Sequence, residues 1–216
     1  MPKYITVLFI MEMIGTVAFS CSGAMLAIKK HLDLLGIMVL GVVTACGGGM
    51  IRDVLIGNTP PNLFIHPIYV EVAIASAVVI FIIIKTKKFA SLFNANAYDW
   101  TMNILDAIGL GAFTVVGVNT AYSAGYGNYL FLTIFLGVIT GVGGGLLRDI
   151  MALEIPAILR KHIYACASLV GAIAYIIMCK VAIPSDIGLV LSACIVVIIR
   201  LLARQLEWNL PRCDFE

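Results

Sequence analysis

The chain has 216 residues, of which 62% are hydrophobic and 12% charged, with a formal net charge of +2 and a mean hydropathy of +1.06. Its apolar surface exceeds what a soluble core of this length would bury, so a water-soluble globular domain is excluded. The net charge says little about partners, and no nucleic-acid partner is expected.

Seven apolar stretches qualify as membrane spans. The first, Tyr4 to Ile28, is longer than a signal-peptide core, carries Glu12 in its middle and lacks an Ala-x-Ala exit, so it is expected to be retained. The second, Leu34 to Ile51, contains the triplet Gly47-Gly48-Gly49 and runs into Arg52-Asp53. The third is Ile68 to Ile84, with Glu71 near its start and no task assigned to it. The fourth, Ile104 to Ala124, carries Asp106 near its start, and the fifth, Tyr129 to Leu147, contains Gly143-Gly144-Gly145 ahead of Arg148-Asp149. Ile163 to Cys179 and Ile187 to Leu202 complete the set. The six cysteines show no paired spacing and are expected to be small apolar fillers, with neither a disulfide framework nor a zinc site.

With seven spans, the odd-numbered loops and the C-terminus share one side and hold 11 of the 14 Lys and Arg residues. The positive-inside rule places the C-terminus in the cytoplasm and the N-terminus outside.

The chain is internally duplicated. At an offset of 96, Leu40 to Asp53 matches Leu136 to Asp149 at nine of fourteen positions, including all three glycines, the arginine and the aspartate. Upstream the offset becomes 94, pairing Gly15 with Gly109, Phe19 with Phe113 and Glu12 with Asp106. Downstream, Pro60 pairs with Pro156 and His66 with His162 at the original offset. A unit of three spans enters the membrane from opposite sides in its two copies, so the expected fold is all-α and polytopic: two inverted three-helix repeats plus a seventh helix. The domain organisation is a single membrane domain over 1–216, with repeat one at about 4–85, repeat two at about 100–180 and the extra helix at about 186–206. Inverted repeats of this kind place a solute path at their interface.

A glycine inside a helix costs roughly 1 kcal/mol relative to alanine, so three in succession ask for a physical use. One is close helix packing, although small-xxx-small faces space such residues along a face. The other is a local break that bares carbonyl oxygens, which can replace water around a monovalent cation. The Gly-x-Gly at Gly141 and Gly143 ends a membrane span and does not follow a soluble strand, so it is not read as a nucleotide loop. Arg52, Asp53, Arg148 and Asp149 are costly at membrane depth unless paired or wet. Because adjacent helical positions point about 100° apart, the expected pairs are Arg52 with Asp149 and Arg148 with Asp53, or each charge with a helix terminus of the other half; ordinary loop charges are the alternative. Glu12 and Asp106 fit either cation attraction or compensation of a helix start. No catalytic motif is present, and no enzymatic activity or cofactor is expected.

The two Gly-Gly-Gly-x-x-Arg-Asp elements, the segment Leu105-Asp106-Ala107-Ile108-Gly109-Leu110-Gly111-Ala112-Phe113 and the three-plus-three-plus-one layout resemble the prokaryotic relatives of the trimeric intracellular cation (TRIC) channels, also labelled glycine-transporter-like. The resemblance covers nearly the whole chain. It implies a homotrimer embedded in lipid, with a potassium or sodium path in every protomer and the second and fifth helices kinked at Gly47, Gly48 and Gly49 and at Gly143, Gly144 and Gly145. Arg52, Asp53, Arg148, Asp149, Glu12 and Asp106 would then shape or gate that path. A carrier for a small solute such as glycine is the alternative on the same architecture.

Overall fold

A computed structural model of the chain describes residues 6–86, 95–160 and 163–208. Among them are nine helices and no strand: α1 (Val7–Lys29), α2 (Leu34–Leu55), α3 (Asn62–Ile65), α4 (Ile68–Lys85), α5 (Ala95–Ser123), α6 (Leu130–Met151), α7 (Ala157–Arg160), α8 (Tyr164–Lys180) and α9 (Ser185–Gln205). Six are long and apolar enough to cross a membrane, and α8, with 17 residues, stands at the short limit of a span. The single turns α3 and α7 follow α2 and α6 and have no span-length signal in the sequence.

Local chemistry sets several boundaries. Thr6 caps α1 by accepting from the Phe9 amide (3.2 Å), and Asp33 caps α2 by accepting from the Gly36 amide (2.7 Å). The chain reverses after α5 at Gly125, with φ +86°, where glycine pays no steric penalty. Helix α5 begins nine residues earlier than the span expected from hydropathy, because Ala95 to Asn103 is too polar to register as membrane-buried yet continues the same helix. Asp106 therefore lies three turns inside α5, and compensation of a helix start is not its environment.

At the centre, α1 and α5 are the most buried helices, flanked by α2 and α6, with α4, α8 and α9 outside. Helix α4 buries only Ala73 and Ala77 and presents Ile74, Val79 and Ile82 outward, which suits a lipid-facing helix. The rings of Phe19 on α1 and Phe113 on α5 meet with centroids 5.4 Å apart.

The duplication is legible in the packing. A Cβ on Gly23 would meet Thr44 Oγ1 at 2.4 Å and the Leu40 carbonyl at 2.7 Å; a Cβ on Gly117 would meet Thr140 Oγ1 at 2.6 Å and the Leu136 carbonyl at 2.7 Å. Helices α1 and α5 correspond at an offset of 94, and α2 and α6 at 96. Tyr69 on α4 corresponds to Tyr164 on α8 at 95, because the stretch leading from α2 to α3 is one residue longer than that from α6 to α7. His162 lies outside the described residues; His66 is exposed at the end of α3.

Candidate functional site

Helices α2 and α6 cross at their glycine triplets, and they do so as unbroken α-helix. This corrects the expectation of unwound stretches with bare carbonyls. Inside a continuous helix the carbonyls of residues 47–49 and 143–145 point along the axis toward the next turn, and Gly49 lines the smaller of two cavities beside the crossing. The glycines serve approach instead. A Cβ on Gly48 would sit 2.2 Å from the Thr140 carbonyl oxygen, and one on Gly144 would sit 2.0 Å from that of Thr44. A Cβ on Gly143 would sit 3.1 Å from the Gly48 Cα, and one on Gly47 would run into the Leu147 side chain. A Cβ on Gly145 would crowd the Tyr164 hydroxyl at 2.8 Å, whereas one on Gly49 would meet only Arg52, at an ordinary 3.8 Å. Three successive small residues let two backbones touch around the crossing point, closer than a single small-residue stripe allows.

Beyond the triplets, α2 and α6 continue through the Arg-Asp pairs, so these are helical and buried, not loop charges. Each arginine bonds its own neighbour. Arg52 donates from Nε (2.9 Å) and from a terminal nitrogen (2.7 Å) to Asp53 Oδ1, and Arg148 donates from Nε to Asp149 Oδ1 (2.8 Å). The expected cross-pairs, Arg52 with Asp149 and Arg148 with Asp53, do not form. Divergent Cβ directions did not forbid the adjacent pair, because the long arginine stem curls back to the next carboxylate. The second oxygen of each aspartate accepts from a backbone amide eight or nine residues on: Asp53 from Asn62 (2.9 Å) and Asp149 from Ala157 (2.8 Å). Each Arg-Asp pair thus ties a membrane helix to the short helix that follows it.

Two cavities flank the crossing. One, of about 510 Å³, is lined by Tyr98, Asn103, Asp106, Arg148 and Arg200 and opens beside Lys29. The other, of about 50 Å³, is lined by Glu12, Arg52, Asp53, Tyr69 and Thr140 at the opposite end. Along α1 the chain passes from Glu12 and Thr16 on the small cavity to Leu26 on the large one, with Phe19 midway. Along α6 it passes from Thr140 to Arg148, with Gly144 midway. The Gly48–Gly144 contact and the Phe19–Phe113 rings therefore stand between the cavities.

The ends differ in chemistry. In the large cavity Arg148 also reaches Asp106 Oδ1 (2.8 Å) and the Ser22 hydroxyl. The position equivalent to Ser22 in the other repeat is Val116, which offers no oxygen. At the small cavity Glu12 instead accepts from the Tyr69 hydroxyl (2.5 Å). Helix α9, outside the duplication, adds Arg200 to the large cavity, 3.4 Å from Asn103 Oδ1, 3.8 Å from Asp106 Oδ2 and 4.5 Å from the centre of the Tyr164 ring. Neither Arg200 nor Tyr69 stood out in the sequence. Tyr69 had a signal, its counterpart Tyr164 at offset 95, hidden by the one-residue shift; Arg200 resembled a cation at the end of a span.

An all-helical bundle in which inverted units meet at a buried crossing, with charged cavities on both sides, defines a polytopic membrane protein of the kind that holds a solute path between repeats. A family model described as "Glycine transporter" matches residues 9–85 and again residues 103–180. Inner membrane protein YadS of Escherichia coli is 35% identical over 202 residues, covering 93% of each chain, and membrane protein YvgT of Bacillus subtilis is 34% identical over 206 residues, covering 95% of this chain and 96% of its own. Among solved structures, one described as the structural basis for conductance through TRIC cation channels is 40% identical, with a TM-score of 0.82 over 96% of this chain and 97% of that one. The TRIC orthologue from Rhodobacter sphaeroides is 32% identical, with a TM-score of 0.85 over 94% of this chain and 100% of that one. The chain belongs to the TRIC channel family, the same family that the glycine-transporter model describes.

Proposed function

We propose that this chain conducts monovalent cations through each protomer of a homotrimer, along a path that joins the two cavities at the glycine crossing. The observation that carries this is the pair of charged cavities at opposite ends of one bundle, with the close approach of α2 to α6 and the buried cluster around Phe19 and Phe113 between them. Its likeness to solved structures described as TRIC cation channels, at 32–40% identity over nearly full length, supports it. The chain acts as one membrane domain, with three-helix units at about 4–85 and 100–180 and the extra helix at about 186–206. The Lys29 end faces the cytoplasm, in accord with the charge count.

In this state the path is closed. Glu12 and Asp106, one per cavity, draw cations in; Arg52 and Arg148, bound to Asp53 and Asp149, fix the helix ends around them. A slide of α2 against α6, with displacement of Phe19 and Phe113, joins the cavities. Glycine faces suit such a slide because they carry no interlocking side chains.

Recordings of the purified protein in a planar bilayer, under potassium, sodium, chloride and glycine gradients, test this directly. Ohmic unitary currents selective for cations are expected, with a higher open probability in Phe113→Ala. Saturable glycine uptake with counterflow and no unitary current would overturn conduction in favour of a carrier.

A further inference from the structure

The large cavity holds two buried arginines in opposite conditions. Arg148 is 3% exposed and locked, with oxygen acceptors from Asp149, Asp106 and Ser22. Arg200 is 4% exposed, yet its Nε has no acceptor, its contact with Asn103 is long at 3.4 Å, and its nearest carboxylate oxygen stands 3.8 Å away. A buried guanidinium normally requires paired and well-hydrogen-bonded partners to offset its lost hydration. Arg200 has a loosely fitting set.

That set is nevertheless of one chemical kind. A carboxylate oxygen of Asp106, the amide oxygen of Asn103 and the face of the Tyr164 ring surround the guanidinium, and all three attract cations of any shape. None supplies the in-plane, two-pronged contact that an arginine selects. We propose that Arg200 is a tethered occupant of a cation site at the inner mouth, its guanidinium standing where a permeating monovalent cation sheds water. When the side chain swings into the adjoining cavity of about 510 Å³, an ion takes its place. The occupant comes from α9, the helix outside the duplication, so the Glu12 end has no equivalent; there the Tyr69 hydroxyl holds the acidic group. The consequence for transport rests on the conduction proposed above, but occupancy of the site does not.

The test compares wild type with Arg200→Gln, Arg200→Lys and Asn103→Ala, all full length. The first measurement is thermal stability in potassium chloride against N-methyl-D-glucamine chloride at equal ionic strength. Arg200→Gln is expected to gain a potassium-specific rise in melting temperature that wild type and Arg200→Lys lack; equal responses in Gln and wild type would overturn the assignment. The second is single-channel recording, where Arg200→Gln is expected to raise cation conductance about twofold or more, Asn103→Ala to raise it less, and Arg200→Lys to stay near wild type, as for an effect of one nearby charge. Should Arg200→Gln not fold, Asn103→Ala carries both measurements, because it loosens the dock and leaves the charge. Conduction in Gln and Ala equal to wild type overturns the assignment, whereas absence of currents in wild type removes only the channel and leaves the potassium-dependent stability to decide the site.

Discussion

At the Lys29 end of the bundle, Arg148 hydrogen-bonds two carboxylates and a hydroxyl; at the Glu12 end, Arg52 hydrogen-bonds only Asp53 among the described residues, with Glu12 nearby in the same cavity. The dipeptides are identical and their helices equivalent, so the difference comes from what the other helices bring. Asp106 is one methylene shorter than Glu12 and stays with the arginine, whereas Glu12 is bound by Tyr69. Ser22 can accept a hydrogen bond where Val116 cannot. A duplicated frame thus carries one rigid, crowded mouth and one lightly tied mouth, and only the former receives an extra cation from α9.

Substitutions at the shared glycine crossing should have the largest effect on both halves. Gly144→Ala and Gly48→Ala place a methyl about 2 Å from a backbone carbonyl, and neither helix can yield without separating from its partner. A loss of about 3 kcal/mol or more is expected, read as collapse of the monodisperse peak in fluorescence-detected size exclusion. Gly49→Ala, with open space at its Cβ, should keep that peak and gain up to about 1 kcal/mol of helix preference. A tolerated Gly144→Ala would mean that the helices do not touch at this point.

Next in size is the contrast between the arginines. Arg148→Ala removes the hydrogen-bonded cation from two buried carboxylates at once, leaving Asp149 its Ala157 amide and Asp106 the distant Arg200, and should cost about 3–5 kcal/mol. Arg52→Ala removes the hydrogen-bonded cation from one carboxylate, Asp53, whose other oxygen keeps the Asn62 amide, and should lower the melting temperature clearly less. Equal losses would erase the asymmetry between the mouths. Smaller again, Tyr69→Phe removes the hydrogen bond to the Glu12 carboxylate and should cost about 1 kcal/mol while raising cation conductance, because the freed carboxylate faces the small cavity. An unchanged current would leave Glu12 a structural partner of Tyr69. Least of all, Lys30→Ala breaks a half-exposed pair with Glu154 and should shift stability by less than about 1 kcal/mol. A larger drop would show the two repeats latched together at that end.

Much of the frame was readable from local pattern. Spans follow from apolar length, and the duplication from repeated letters such as Gly47 to Gly49 against Gly143 to Gly145. Helix ends were less readable, because α5 starts in polar residues and α2 and α6 carry their charges inside the last turn. The candidate site divides similarly. Asp106 and Arg148 each stand out in the sequence, but their contact does not, because no pattern along the chain says which faces of α5 and α6 meet. Tyr69 was concealed by a one-residue slip of the repeat.

From its sequence alone the chain determined a seven-span inverted duplication, since hydropathy and identity at fixed offsets are properties of the chain before it folds. Tertiary structure alone decided that the glycines bring α2 and α6 into contact without unwinding either, and that Arg200 enters the mouth at Asp106. Both depend on which helix faces which, and that is settled by the closest approach the assembled backbones can reach.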